Sequence, residues 1–288
     1  MTDNMNIQWY PGHMTKTRRQ IEADLKLVDA VCEIVDARIP VSSRNPDIDA
    51  ICGDKPRMIV LNRMDLADPA ATKKWAEYFR RKGMAVIATD CKSKKGISAF
   101  TPAARLACAE KLERDAKRGM NRPLRVMVVG IPNVGKSTLI NQISGRKSAK
   151  AENRPGVTRG KQWVTVDSGL QLLDTPGILW PKFEDPEVGM MLAYTGAVKE
   201  GVIDLEELAY RLMELLHKFY PQTLLERYKV EAPEGMPGWQ LLEMAGRKRG
   251  YLVSGGEVNT ERMAKVLLDE FRSGKLGNFT LEMPEDMV

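Results

Sequence analysis

Cysteine and histidine are scarce in this chain, with four of the first and two of the second among 288 residues. Cys32, Cys52, Cys91 and Cys108 form no CxxC pair and have no histidine beside them. That spacing argues against a zinc site and leaves reduced thiols in a cytoplasmic protein as the expectation. No apolar run is long enough to span a bilayer, and the opening MTDNMNIQWYPGHM lacks the apolar stretch of a signal peptide, so no membrane partner is expected. Internal repeats and low-complexity tracts are missing as well. What is present is a composition of 43% hydrophobic and 28% charged residues, as in globular proteins, at a length that accommodates one large domain and a smaller one. The net charge of +6 suits an acidic partner such as nucleic acid, or simply describes a basic surface.

Six apolar runs rich in β-formers stand out: AVCEIV (30–35), RMIVL (57–61), MAVIAT (84–89), LRVMVV (124–129), QWVTV (162–166) and LQLL (170–173). Most are continuous rather than alternating, as in strands buried on both faces of a parallel sheet. QWVTV alternates, which predicts an edge strand paired with LQLL across the turn DSG. Helical patterns at 69–82, 97–117 and 136–144 separate the earlier strands, so the first part of the chain is expected to be an open α/β sheet. Beyond DTPG (174–177) the strand-like runs stop. Leu205, Leu208, Leu212, Leu215, Leu216 and Phe219 recur on one helical face, and residues 259–277 carry a second helical pattern ending on Gly277. The expected division is therefore an α/β domain at 1–183 and an all-α domain at 184–288, hinged through PKFEDPEVG (181–189).

The segment GIPNVGKST (130–138) matches Gly-x-x-x-x-Gly-Lys-Ser/Thr at every defined position. It follows a strand and opens a helix, the context in which backbone N–H groups and a helix N-terminus cradle phosphate. Asn133, Val134 and Gly135 would line that loop. Lys136 would reach the β- and γ-phosphates, Ser137 would bind Mg²⁺ through its hydroxyl, and Thr138 would lie near the α-phosphate. Asp174 of DTPG, at a strand end, is placed to hold Mg²⁺ through water, and the Gly177 N–H to bond the γ-phosphate. Thr158, in NRPGVTRG, is the natural switch threonine that joins Mg²⁺ when the γ-phosphate is present.

A second motif, LNRMD (61–65), ends the run RMIVL. Guanine carries two N–H donors that adenine lacks, and one carboxylate, Asp65, can accept both. Asn62 can bond the O6/N7 side of the base or tie loops together. Arg63, with Met64 beside it, can stack along the base plane. The next strand ends in TDCKSKKG (89–96), where Asp90 and Cys91 are the candidates for a second base-contacting loop. A kinase or ATPase with the same phosphate loop would have no use for Asn62 and Asp65.

The base motif precedes the phosphate loop, the reverse of the usual order. With DARIPVSSRNP (36–46), WYPGHM (9–14), AYTGAVKEG (193–201) and FRSGKLG near the end, this order resembles the circularly permuted GTPases of the ribosome biogenesis GTPase A, or YlqF-type, family. The resemblance covers nearly the whole chain. It implies an α/β fold, namely a circularly permuted P-loop GTPase domain with a six-stranded mostly parallel sheet, followed by a C-terminal all-α domain. RDAKRGMNRP (114–123) would join the ancestral termini. The same resemblance implies GTP and GDP as ligands with Mg²⁺, and catalysis by His13, Lys136 and Thr158. His13 enters as helper because Ile178, where many GTPases place glutamine, cannot orient water. Asn133 corresponds to the K⁺ ligand of related potassium-stimulated GTPases. His217 reads as structural.

The implied partner is an immature large ribosomal subunit and its rRNA, contacted through the basic clusters KTRR (16–19), RRK (80–82), KSKK (92–95) and RKR (247–249). The expectation is a monomer acting in late maturation of that subunit, with hydrolysis coupled to release and no DNA partner. The alternatives are a nucleotide-regulated RNA-binding module and a protein-signalling switch whose turnover the ribosome does not stimulate.

Overall fold

The computed structural model describes residue 19 and residues 21–145, 162–175, 186–198 and 204–287. These fall into two units. The first holds the residues up to 175 together with those from 282 onward, and the second holds 186–281. The expected helical domain ran to residue 288, yet its last residues pack on the first unit. The carboxylate of Glu282 accepts from the backbone N–H of Val41 (2.6 Å) and of Ser42 (3.0 Å). The indole of Trp75 donates to the Glu282 carbonyl (2.8 Å), and Lys74 pairs with Glu285.

The first unit is built on six strands among the described residues: β1 (Ala30–Asp36), β2 (Arg57–Asn62), β3 (Ala85–Thr89), β4 (Leu124–Val129), β5 (Gln162–Asp167) and β6 (Leu170–Asp174). Their order in the sheet is β3-β2-β1-β4-β6-β5. All neighbours run parallel except β5 and β6, which pair antiparallel across the expected turn. β1 and β4 occupy the centre because their apolar runs find cover on both faces. Every residue of β1 is buried. Its one acidic member inside the run, Glu33, is compensated by Arg44 and Arg57, each with a guanidinium 2.9 Å away. β5 lies at the edge, and its alternation buries Val164 while Trp163 and Thr165 face out.

Helices α1 (Ile48–Cys52), α2 (Pro69–Arg81), α3 (Phe100–Ala107), α4 (Ala109–Lys117) and α5 (Lys136–Ser144) connect the strands. α2 starts sharply because Asp68 accepts from Ala70 and Ala71 N–H groups and Pro69 occupies a first-turn position that needs no donor. It buries Trp75 and Phe79 against Val35, Ile59 and Leu61. The single helix expected over 97–117 is a 3-10 turn at Ile97–Ala99 and two helices broken at Cys108. α3 buries Phe100, Ala103 and Ala104, whereas α4 buries nothing, so the chain turns where the apolar stripe ends. Ahead of β1, Ile21, Leu25 and Val28 pack on Val31, Met127 and Leu173.

The second unit contains α6 (Pro186–Tyr194), α7 (Leu205–Phe219), α8 (Pro221–Tyr228), α9 (Gly238–Lys248) and α10 (Thr260–Ser273). The expected hinge overlaps α6, so residues 186–189 are helix; 181–185 lie outside the described residues. In α7, Leu208, Leu212 and Leu216 are buried as the pattern predicts, but Phe219 is 43% exposed and the core takes Ala209 and Met213 instead. Phe219 lies on the same face but is the last residue of the helix, at the end of the buried stripe. Arg272 of α10 donates to the carbonyls of Tyr194 (3.1 Å) and Ala193 (2.8 Å), tying FRSGKLG to AYTGAVKEG. His217 contacts the Pro233 carbonyl through Nε2 (2.9 Å). No helix among the described residues is long and apolar enough to cross a membrane.

Candidate functional site

β4 and β2 deliver the two motifs to the same end of the sheet, with β1 between them. The phosphate loop leaves β4 through Gly130, where an added Cβ would sit 2.5 Å from the Ile34 carbonyl oxygen. It enters α5 through Gly135, whose φ of +109° and 2.5 Å clearance to Asn62 Nδ2 exclude a side chain. Asn133 holds a left-handed φ of +60° without being glycine, a strained conformation that its surroundings must enforce.

The LNRMD segment supplies that enforcement. Asn62 is 3% exposed, and its Nδ2 donates to the Val134 carbonyl (2.7 Å). Arg63 Nη2 donates to the Asn133 carbonyl (2.7 Å). Because a trans peptide points its C=O and N–H in opposite directions, fixing these two carbonyls toward β2 turns the N–H groups of Val134 and Gly135 the other way, into the loop. The other side of Asn62 accepts from Thr89 Oγ1 (3.1 Å) and the Cys91 N–H (3.3 Å). Of the two roles open to Asn62, tying loops together is the one seen.

Inside the loop, Lys136 is buried and donates to the carbonyls of Gly130 (3.0 Å) and Ile131 (2.9 Å). Burial pulls its pKa down to about 8, with Asp174 opposing. Asp174, at the end of β6, is 1% exposed, and burial pushes its carboxyl up to about 6 despite Lys136. Its Oδ1 has no hydrogen-bond partner among the described residues. Thr175 Oγ1 donates to the Val128 carbonyl (2.7 Å), pinning DTPG to the phosphate-loop strand. A buried ammonium bonded to neutral carbonyls suits a phosphate, and an orphaned carboxylate oxygen suits a hard cation. With the half-buried Ser137 and Thr138 hydroxyls at the start of α5, the residues fit Mg²⁺ bound to a nucleotide.

Asp65 is exposed just beyond β2. Met64 donates its N–H to the Thr89 carbonyl (3.1 Å), docking the segment on the β3 end. Asp90 is differently engaged: its carboxylate accepts from the Lys92 N–H (2.8 Å). Burial works to raise its pKa, but the Ser93 side chain and the N–H groups of its own turn outweigh that and hold it below the ordinary value. Cys91 is buried, and burial pushes its thiol up to about 11, so it contributes backbone rather than thiolate here. His13, Thr158 and Gly177, and Ile178 with them, lie outside the described residues. Thr89, Thr175 and Asp36 join this region without having been singled out in the sequence. Each sits at a strand's C-terminal end, the one signal that marked it.

Residues 125–220 match the family model of 50S ribosome-binding GTPases. The match begins at β4, so the base motif lies before it, as a permuted order requires. The chain is 46% identical over 285 residues to ribosome biogenesis GTPase A of Priestia megaterium, covering 98% of each. It is 34% identical over 282 residues to the protein of that name from Thermotoga maritima, covering 98% of this chain and 96% of that one. The GDP-bound structure of TM YlqF superposes with a TM-score of 0.68 at 30% identity, covering 93% of this chain and all of the other. A central strand order that reunites residues 62–65 with 130–138, together with identity over nearly the full length, means that the chain belongs to the ribosome biogenesis GTPase A family of circularly permuted GTPases.

Proposed function

We propose that this GTPase is an assembly factor for the large ribosomal subunit, binding the immature particle through its rRNA late in maturation and leaving after hydrolysis. The observation that carries the reading is the pair of bonds from Asn62 and Arg63 to Val134 and Asn133, 72 and 70 residues apart in sequence. They set LNRMD, which in this reading meets guanine, against the phosphate loop. The family model's description, a 50S ribosome-binding GTPase, supports the choice of particle.

In this reading Asp65 accepts the guanine N–H donors, and Arg63 lies along the base. Met64, Asp90 and Cys91 shape the base pocket through their backbone. The N–H groups of Val134 and Gly135 and the ammonium of Lys136 hold the phosphates, with Thr138 near the α-phosphate and the Gly177 N–H on the γ-phosphate. Ser137, Thr158 and Asp174 hold Mg²⁺, which when bound offsets phosphate charge, and Asn133 takes K⁺. His13 assists water once the ribosome is engaged, because Ile178 offers no hydrogen bond. Arg80, Arg81, Lys82, Lys92, Lys94 and Lys95 are exposed and can meet RNA phosphates, Lys82 from over the Tyr78 ring. RKR contributes less than its charge suggests, since Arg247 pairs with Glu243 and Arg249 with Glu270. The protein acts as a cytoplasmic monomer.

The test is GTP turnover with and without purified large subunits, for the wild type and His13→Ala. Slow intrinsic turnover, raised by the subunit and lost in the variant, is expected. Turnover indifferent to the subunit, with RNA affinity equal in all nucleotide states, would instead identify a nucleotide-regulated RNA-binding module. Partner binding insensitive to salt would identify a protein switch.

A further inference from the structure

We propose that Asp36 is a positioning residue for nucleotide binding: it holds Arg63 against the phosphate loop and acts through that guanidinium without touching nucleotide. The inference rests on reading residues 62–65 and 130–138 as one guanine-nucleotide site.

Asp36 ends β1, the strand that pairs with both β2 and β4, and it is buried. One carboxylate oxygen, Oδ1, accepts from the backbone N–H and the Nε of Arg38, both at 3.0 Å. The other, Oδ2, accepts from Arg38 Nη2 (2.8 Å) and lies 3.6 Å from Arg63 Nε. Arg38 is itself fully buried. One carboxylate therefore stands between two guanidinium groups, one structural and one belonging to the base motif. Burial disfavours its ionised form, but Arg38 and then Arg63 outweigh that and hold its pKa below the ordinary value.

Arg63 spans the gap from this anion to the phosphate loop, with Nε toward Asp36 and Nη2 on the Asn133 carbonyl. Both residues joined by the second bond are strained, with φ of +61° at Arg63 and +60° at Asn133. Such backbone persists only where neighbours fix it. The segment after β1 is folded to keep the carboxylate in place. The Asp36 N–H donates to Ser43 Oγ (2.9 Å), which in turn donates to the Ile39 carbonyl (2.7 Å). The same Oδ2 that takes Arg38 Nη2 also faces the Arg63 guanidinium. Facing it, Asp36 restrains the long Arg63 side chain, which would otherwise have to give up its rotamer freedom each time nucleotide binds.

The experiment is a double-mutant cycle read by dissociation of N-methylanthraniloyl-GDP, with thermal unfolding followed in parallel. Asp36→Asn keeps the shape and one acceptor but removes the charge; Arg63→Gln removes the group it acts through. Each single change is expected to speed dissociation about tenfold, and the double to stay within about twofold of Arg63→Gln, the non-additivity of residues acting in series. Effects that multiply, or an Asp36→Asn variant that folds and releases nucleotide at the wild-type rate, would overturn the proposal. Should Asp36→Asn fail to fold because Arg38 is left uncompensated, the same cycle is run with Asp36→Asn/Arg38→Gln, which neutralises both members of the buried pair. Wild-type protein that does not bind the probe would sink the site reading itself, a separate outcome.

Discussion

Replacing Asn62 by aspartate changes one NH₂ into one oxygen and nothing in size. The acceptor half survives, so Thr89 Oγ1 and the Cys91 N–H keep their partner. The donor half is lost, and the Val134 carbonyl at 2.7 Å faces an oxygen where it had an N–H. Leaving a buried acceptor unsatisfied costs about 1–3 kcal/mol. Burying an ionised carboxylate against it adds to that until the acid takes up a proton, whereupon the new O–H can donate to the same carbonyl. At neutral pH the cost is therefore about 2–4 kcal/mol, divided between fold stability and the organisation of the phosphate loop. If the loop bears all of it, GDP binds about 30- to 1,000-fold more weakly. If the fold bears all of it, the first unit loses on the order of 5–15 °C in Tm. The assay is GDP titration and thermal unfolding of wild type and Asn62→Asp at pH 7.5 and pH 5.5. The deficit is expected to shrink at the lower pH, where the introduced acid is protonated. An Asn62→Asp variant with unaltered affinity and unaltered Tm would refute the idea that this side chain ties β2 to the phosphate loop. So would a deficit that ignores pH.

Gly135→Ala forces a Cβ to within 2.5 Å of Asn62 Nδ2 at a φ of +109°; the added strain of about 1–2 kcal/mol plus the displaced amide should weaken GDP binding at least tenfold by calorimetry. Asp65→Asn should lose guanine preference and gain xanthine preference, since an amide can donate where the carboxylate only accepts; competition between GDP and xanthosine diphosphate reads this, with an unchanged Tm as control. Glu270 sits among Arg227, Arg249 and the Tyr228 hydroxyl. The Arg227 hydrogen bond, first among these, holds its pKa below the ordinary 4.5. The stability it contributes is thus present above pH 4.5 and lost as pH falls through the folded value. Glu270→Gln should cost about 2 kcal/mol at pH 7 and leave a flatter acid limb between pH 5 and 3, followed by circular dichroism.

Where the sequence was readable, a local rule and the tertiary answer agreed. β1 and β4 are continuous apolar runs and lie at the centre, although β3, equally continuous, ends up at an edge. β5 alternates and is the edge. The helical patterns at 69–82 and 136–144 are α2 and α5. The break at Cys108 is not readable, since no proline or glycine marks it and packing sets it; the short helix α1 ends on Gly53 but at five residues is too short to show an apolar stripe. α8 follows directly on α7, and only Pro221 hints that a new helix starts. In the site, the phosphate loop and LNRMD were plain from residue type and spacing. The motif by itself does not choose between the two roles of Asn62, because the tie depends on which loop lies opposite, a matter of strand order. Asp36 was hidden for a similar reason: a DAR tripeptide says nothing about a neighbour at position 63 until β1 and β2 are side by side.

The return of the chain's last residues to the first unit changes what kind of molecule this is. With Glu282 clasped by the amides of Val41 and Ser42 and by Trp75, the second unit is, in sequence, an insertion within the first. A truncation stopping at Leu281 would spare every helix of the second unit and still strip the first of the Glu282 contacts to Val41, Ser42 and Trp75.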